Sequence, residues 1–412
     1  MEAILVTHKI ALLQQFFDPE PGAKGLLFAK QLADLGYKVT VITGFPNYPG
    51  GKVYEGYKIK MYAREVHGSV EVIRLPLYPS HSGSRIGRIV NYVSFMISTT
   101  VYCLLFLKKV DALYAYHPPL TTGVTASIVR LLRRIPVVYD VQDMWPDTLK
   151  ATGMVNSSLI LSIVGRVAQF VYRRVDHIAV LSPGFKRLLV QRGIDEKKIT
   201  VIPNWCNEKA LETQTDAEVP FADDNRFKIL FAGNMGKAQA LQHVLYAAKS
   251  LRDLNEQVLF IFLGGGLEVD SLKEMSTSLG LKNTLFLNTV PVEIVDEYLR
   301  EADALLVHLK KDDLFKITIP SKIQTYLAIG KPILIGVEGD AAEIVTYNKA
   351  GVEFEPENHE SLTEATLKLL GMTTASRNEM GKRGKEYYWD SMSMSSGVSK
   401  FDKVLKALIE SK

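Results

Sequence analysis

The residues with the clearest chemical potential lie in one short run, Thr318-Ile-Pro-Ser-Lys-Ile-Gln-Thr-Tyr-Leu-Ala-Ile-Gly-Lys-Pro332. It reads as a helix. Pro320 and Ser321 suit its start, Ile323 and Leu327 repeat as a buried face, and Gly330 with Pro332 ends it. Lys322 falls in the first turn, where a cation opposes the helix dipole. A bound anion reverses that penalty, because first-turn N–H groups and the ammonium then hold one phosphate together. The same spacing also suits a solvent-facing lysine on an ordinary helix.

Other candidates sit where strands end. Asp143 lies in Gln142-Asp-Met-Trp-Pro-Asp147, and His117 precedes two prolines. Ligands of parallel sheets gather outside the carboxyl ends of strands, which would put His8, His117 and Asp143 on one rim. Asp143 is the best candidate there, because Trp145 and Pro146 give its loop a stiff apolar wall suited to a sugar face. Each of these residues also reads as an inert loop residue. Gly22 and Gly25 flank a helix start, as a plain turn or a phosphate loop. Gly233-Asn234-Met-Gly236-Lys237 and Gly264-Gly265-Gly266 are flexible turns that admit a phosphate or a base, or are tight turns only. Glu338 to Glu343 opens a further helix. Asp312-Asp313 lies among Lys310, Lys311 and Lys316 and reads as a solvated loop, with no metal expected.

The elements that must hold these residues form two α/β series. The first opens with strand 3–6, a helix from about 23 to 35 and strand 39–43. Strands at 111–116, 136–141, 177–181 and 199–202 follow. Pro203 to Arg226 reads as the connection. The second series has strands at 227–232, 258–263, 284–287, 304–308, 333–336 and 351–354, and the chain is helical from Glu357 on. Two such series predict two doubly wound lobes and a cleft. The segment 84–109 stands apart. Arg85 and Arg88 lead into a largely apolar run that Lys108 and Lys109 close. A buried core helix, a single span and a helix in the membrane interface all fit it.

With 412 residues, 47% hydrophobic and 23% charged, the chain is an ordinary globular protein of two or three domains. A net charge of +4 gives no reason to expect a nucleic-acid partner, though a basic patch against anionic lipid fits. Two cysteines, Cys103 and Cys206, make no disulfide framework and suit a reducing cytoplasm. Glu2 stands where a signal peptide would carry basic residues.

Pro-Ser-Lys followed by Tyr-Leu-Ala-x-Gly-Lys-Pro, together with Asp-Met-Trp-Pro-Asp, Phe231-Ala-Gly-Asn-Met-Gly-Lys237 and Pro203-Asn-Trp205, resembles the family 4 glycosyltransferases. Within them it resembles the bacterial O-antigen and capsule group that transfers N-acetyl-L-fucosamine-type sugars. The resemblance spans nearly the whole chain. It implies an α/β GT-B fold of two Rossmann-like domains, 1–206 and 207–387, with 388–412 returning to the first lobe through a crossing segment at Trp389-Asp-Ser-Met. It implies a retaining, metal-independent transfer, without a cofactor, from a UDP-sugar to an undecaprenyl-diphosphate-linked glycan. The enzyme would be cytoplasmic and peripheral at the inner face of the plasma membrane. Donor contacts would fall to Gly22, Gly25, Asn234, Gly236, Lys237, Gly265, Val290, Ser321, Lys322, Thr325 and Glu343. His117, Trp145, Arg85 and Arg88 would meet the acceptor, with Asp143 and Lys322 catalytic.

The chain departs from the family pattern. Two glutamates usual across the donor helix fall at Ile317 and Thr325, and Asn234 replaces a usual arginine. Diphosphate neutralisation therefore falls to Lys237 and Lys322. A nucleotide-sugar epimerase of the same fold and a non-catalytic nucleotide-sugar binding protein are the competing readings.

Overall fold

The computed structural model describes residues 7–22, 24–80, 85–212, 217–254 and 257–411, and of Arg85 only the backbone. The chain divides into two compact units, Met1–Pro203 with Gly397–Lys412, and Asn204–Ser396.

In the first unit the strands are β1 (Lys9–Leu13), β2 (Lys38–Gly44), β3 (Ala63–His67), β4 (Val70–Leu75), β5 (Ala112–Tyr116), β6 (Val137–Val141), β7 (His177–Val180) and β8 (Ile199–Val201). Among the described residues they form one sheet in the order β3-β4-β2-β1-β5-β6-β7-β8. Neighbours run parallel except the edge hairpin β3–β4. Near-continuous apolar runs such as Ile10–Leu13 suit strands buried on both faces. The strand order reverses between β1 and β5, so the loops after them meet at the switch point.

The expected strand 3–6 lies outside the described residues, and the strand that opens the sheet is β1. Ile10–Leu13 pairs with both β2 and β5. His8 therefore precedes β1 and lies at the amino end of the sheet, 3.9 Å from Asp111. It does not belong to the rim that carries His117 and Asp143.

Three helices of this unit matter below, α1 (Leu26–Asp34), α2 (Arg85–Leu105) and α3 (Leu120–Arg133). α2 has a mixed inward stripe and an apolar outward one. Asn91, Phe95, Thr99 and Cys103 point inward at every fourth position. Asn91 bonds Gln15, Asn47 and the Tyr78 carbonyl, and Thr99 and Thr100 meet Thr125 of α3. The opposite face, Val93, Ile97, Val101 and Leu105, is exposed. A surface helix normally keeps polar residues on its outer face. Of the three sequence readings, a buried core helix does not describe α2.

The second unit holds β9 (Phe227–Ala232), β10 (Val258–Leu263), β11 (Thr284–Leu287), β12 (Ala304–His308), β13 (Ile333–Gly336) and β14 (Gly351–Glu353). They form a parallel sheet in the order β11-β10-β9-β12-β13-β14, with its switch point between β9 and β12. Phe231, Val244, Leu245, Phe260 and Phe262 lie in the core between this sheet and the helices behind it.

The stretch expected as a loose connection is mostly built into the second unit. Trp205 and Phe221 are buried, and a short helix spans Glu208–Glu212. Tyr388, in a π-helical turn (Tyr388–Met392), donates to Glu208 Oε1 at 2.8 Å and accepts from the Cys206 N–H at 3.1 Å. Glu208 also accepts from the Met394 N–H at 2.7 Å. The last helix, Met394–Glu410, starts there, and its residues from Gly397 on group with the first unit.

Candidate functional site

In the second unit the helix Lys322–Ile329 has the buried face and the end that its sequence predicts, but not the serine cap. Ile323 and Leu327 are buried, and Gly330 closes it in the left-handed conformation at φ 84°. Ser321 is exposed and its hydroxyl makes no cap, so the helix start carries no side-chain acceptor. The Lys322 side chain turns inward. Its Nζ lies 3.5 Å from the centre of the Phe231 ring and has no hydrogen-bond partner. Burial alone pushes this ammonium down to about 7. A ring face satisfies a cation only in part. The group is thus a buried donor without an acceptor, at the end of β9 where the sheet's switch point lies.

Beside it runs the loop Gly233–Lys237. A Cβ on Gly233 would sit 3.4 Å from Lys322 Nζ. Asn234 and Lys237 are exposed, and the Gly236 N–H donates to Gln239 Oε1 at 3.0 Å. The sequence left the glycine run after β10 open between ligand approach and tight turn. The structure shows an interlock of backbone. Gly264 (φ 136°) and Gly266 (φ 145°) would drive a Cβ to 2.3 Å from the carbonyl oxygens of Gly233 and Met235. The Met235 N–H donates to Gly265 O at 2.7 Å. Gly265 has no positive φ, and its Cβ position meets only the Thr289 Oγ1 at 3.3 Å, a tight contact with a side chain that can shift by a few tenths of an ångström. Gly266→Ala is therefore expected to cost about 1–3 kcal/mol of stability, and Gly265→Ala less than about 1 kcal/mol. Urea unfolding of the two variants checks this.

Around this core lie the remaining donor-side residues. Val290 is half-buried beyond β11, and Thr325 is half-buried on the Lys322 helix. Glu343 is exposed in the first turn of the helix Asp340–Tyr347. His308, at the end of β12, faces Gln239 O through Nδ1 at 2.8 Å, while Nε2 accepts the Glu357 N–H at 2.9 Å. Burial holds it neutral, down to about 4. It ties the loops together. Asp312 caps its own short helix at Leu314 N, as a solvated loop residue would.

In the first unit, His117 and Asp143 share the carboxyl rim of β5 and β6. His117 is fully buried, edge-on to Trp145 at 5.2 Å between ring centres, with both ring nitrogens unpartnered. Burial holds it neutral, near 3. Asp143 is partly open, and desolvation raises its carboxyl above the usual range. Among the described residues no side chain hydrogen-bonds it. A partly desolvated carboxylate at a strand end is poised to accept a proton. Arg88 is half-buried in the first turn of α2, and the Arg85 side chain lies outside the described residues.

The carboxylates in the loop between β1 and α1 accept from backbone N–H groups of this chain. Asp18 accepts from the Leu26 N–H at the start of α1 and fills the space beside Gly25. Glu20 accepts from the Asn47 and Tyr48 N–H groups at 2.7 Å each. The place at the α1 N-terminus expected for a diphosphate is thus held by an anion already, and only Gly22 faces open space.

One feature of this rim escaped the sequence reading. Lys24 Nζ reaches Asp140 Oδ2 at 2.6 Å, with both side chains fully buried. Tyr114 donates to the same oxygen at 2.6 Å and Gln142 to the other at 2.8 Å. The signal was present. Asp140 interrupts the apolar run Val137–Val141, and a buried carboxylate requires donors.

Two parallel-sheet Rossmann-like units, each with its candidate residues at the carboxyl ends of the strands, define the GT-B class. Residues 26–205 match the family model described as "Glycosyl transferase 4-like domain", and residues 212–387 match "Glycosyl transferases group 1". Each match takes in less than half of the chain, and the two together support a two-domain glycosyltransferase.

WcaI of Escherichia coli (strain K12), named for colanic acid biosynthesis, is 28% identical over 358 residues, covering 82% of this chain and 86% of that protein. WbjE of Pseudomonas aeruginosa, named as a glycosyltransferase, is 25% identical over 239 residues, covering 57% of this chain and 59% of that one. Among solved structures, sucrose-phosphate synthase from Thermosynechococcus elongatus superposes with a TM-score of 0.70 at 15% identity, covering 98% of this chain and 100% of that one. HepE of Anabaena in complex with UDP gives a TM-score of 0.68 at 17% identity, covering 97% and 100%. These structures share the fold.

Proposed function

We propose that this glycosyltransferase moves a sugar from a UDP-sugar to an undecaprenyl-diphosphate-linked glycan, with retention and without a metal ion, in O-antigen, capsule or related polysaccharide biosynthesis. The donor sugar is of the N-acetyl-deoxyhexosamine type, such as N-acetylfucosamine. The observation that carries the reading is the buried, unpartnered Lys322 ammonium at an uncapped helix start. Breaking a sugar–diphosphate bond builds negative charge on the leaving phosphate. A desolvated cation and helix N–H groups stabilise that charge more than they stabilise the ground state. Lys237, Asn234, Gly236 and Gly265 line the same loops and complete the donor contacts, with Val290, Ser321, Thr325 and Glu343 around them. The WcaI name supports a polysaccharide product, and the HepE complexes with UDP and UDP-glucose support the donor class.

Asp143 takes or orients the proton of the acceptor hydroxyl, with Trp145 against the sugar face and neutral His117 behind it. Arg85 and Arg88 meet the acceptor diphosphate at the inner face of the plasma membrane. Asp143→Asn is expected to lower kcat by about 10²–10⁴ with little change in donor KM. The base must be ionised to act, so the wild-type rate falls as pH drops through the raised pKa of Asp143. This acid limb should lie above the ordinary aspartate value of about 3.9, and Asp143→Asn should lack it. A pH profile of kcat for both proteins checks the assignment.

The test of the whole reading is nucleotide release from a panel of UDP-sugars, with and without an N-acetylhexosamine diphospholipid. Release that needs both one N-acetyl-deoxyhexosamine donor and the acceptor supports it. Donor isomerisation alone, or tight binding without turnover, overturns it.

A further inference from the structure

The first unit carries a second site, remote from the residues above. An open groove of about 1260 Å³ runs between α2 and the edge hairpin β3–β4. This exceeds the roughly 300–1,000 Å³ of a small-molecule pocket. One wall is Ile97, Val101 and Phe106, which continue the outward apolar face of α2. The other wall carries Met61, Tyr62 and Val66, exposed by 83%, 48% and 64%. Tyr62, Tyr102 and Phe106 stack in a row at 6.2 and 6.3 Å. Apolar surface this continuous on a folded unit marks a contact with something apolar.

The charges say what kind. Lys9, Lys38, Lys108 and Lys109 line one end of the groove. The nearby carboxylates are already held, Glu71 by Arg64 and Thr40, and Asp111 by the Lys9 N–H. The rim is thus cationic and the walls are apolar, which matches an anionic head group on a hydrocarbon chain.

We infer that this groove takes one acyl chain of an anionic bilayer phospholipid, with its phosphate on the lysine rim, while the outer face of α2 lies in the membrane interface. The inference deepens the membrane contact of the proposed function and rests on it. The lipid is not the glycan acceptor. Lys9 and Lys38 begin β1 and β2, at the amino edge of the sheet, whereas His117 and Asp143 follow the carboxyl ends of β5 and β6. A five-residue strand spans about 17 Å, so a diphosphate on the lysines cannot present its first sugar to Asp143.

The test uses the full chain and vesicles of phosphatidylcholine alone or with phosphatidylglycerol. Flotation with the anionic vesicles and little with the neutral ones is expected. Lys38→Glu/Lys108→Glu/Lys109→Glu should lose about tenfold or more in vesicle affinity. A Tyr62→Trp reporter should be quenched by phosphatidylglycerol with brominated acyl chains, beyond the quenching of the wild-type tryptophans. Equal binding to neutral vesicles overturns the lysine rim. Anionic binding without added quenching overturns the groove, and a stable dimer that hides Tyr62 overturns the lipid as occupant. A wild-type circular-dichroism spectrum and two wild-type unfolding transitions in urea report that both units of the triple variant are folded. Failure of every donor to turn over would strike the proposed function while leaving the vesicle result intact.

Discussion

Replacing Lys322 with alanine is expected to lower kcat/KM by on the order of 10²–10³, while Lys310→Ala changes it less than about threefold. Both are lysines of the second unit near the switch point, so net charge and overall field change equally. The difference lies in surroundings. Both residues are half-buried as a whole, but Lys310 Nζ lies 6.0 Å from the Phe315 ring and is not among the buried unpartnered atoms. Lys322 Nζ is shut away from water without an acceptor. Its attraction to a phosphate is therefore weakly screened. Nucleotide release measured for both variants decides it, and equal losses would reject the phosphate role. The same burial predicts an opposite effect on stability. Lys322→Met removes an uncompensated buried charge and should stabilise the ligand-free protein by on the order of 1 kcal/mol. The folded-state pKa of about 7 lies below the unfolded value of 10.5. Between those two pH values the unfolded chain binds the extra proton, so wild-type stability gains as pH rises through the window. The advantage of Lys322→Met should thus be largest below about pH 7 and shrink toward pH 10. Urea unfolding at pH 6 and pH 9 measures it.

The second large effect concerns protons. At pH 8 an ammonium whose pKa is about 7 is mostly neutral in the free protein. Two phosphates placed against it restore the charged form. Binding of UDP at pH 8 should therefore take up close to one proton from solution. The nucleotide contributes little, because a terminal phosphate with a pKa of about 6 is already ionised. Calorimetry in buffers of different ionisation heat reads the uptake directly. It should vanish in Lys322→Met and shrink below pH 6, where the lysine is already charged. Binding with no proton uptake in the wild type would place the diphosphate elsewhere.

Much of the second unit was legible beforehand. Strands expected at 227–232, 258–263, 284–287, 304–308 and 333–336 are β9 to β13 as built. The Lys322 helix ends at Gly330 as its punctuation requires. These features rest on short-range rules, in which periodicity, a cap and a proline act within one or two turns.

The first unit was harder for a definite reason. The run Ile10–Leu13 takes its place in the sheet by pairing with strands about 30 and 100 residues away, which no local pattern announces. His8, expected past the end of a strand, instead precedes β1 and sits at the opposite end of the sheet from His117 and Asp143.

By itself, then, the sequence determined two consecutive α/β series and their strand ends, and so the loops where chemistry would gather. Only the tertiary structure decided which way side chains within those elements face. It turned Lys322 inward against Phe231, joined Lys24 to Asp140 across 116 residues and filled the Gly25 turn with Asp18. It also turned the seam of Asn91, Phe95, Thr99 and Cys103 toward the unit and left the seam of Val93, Ile97, Val101 and Leu105 outward. The physical reason is common to all of them. Burial and charge pairing are set by neighbours distant in the chain, and no local pattern records which neighbours those will be.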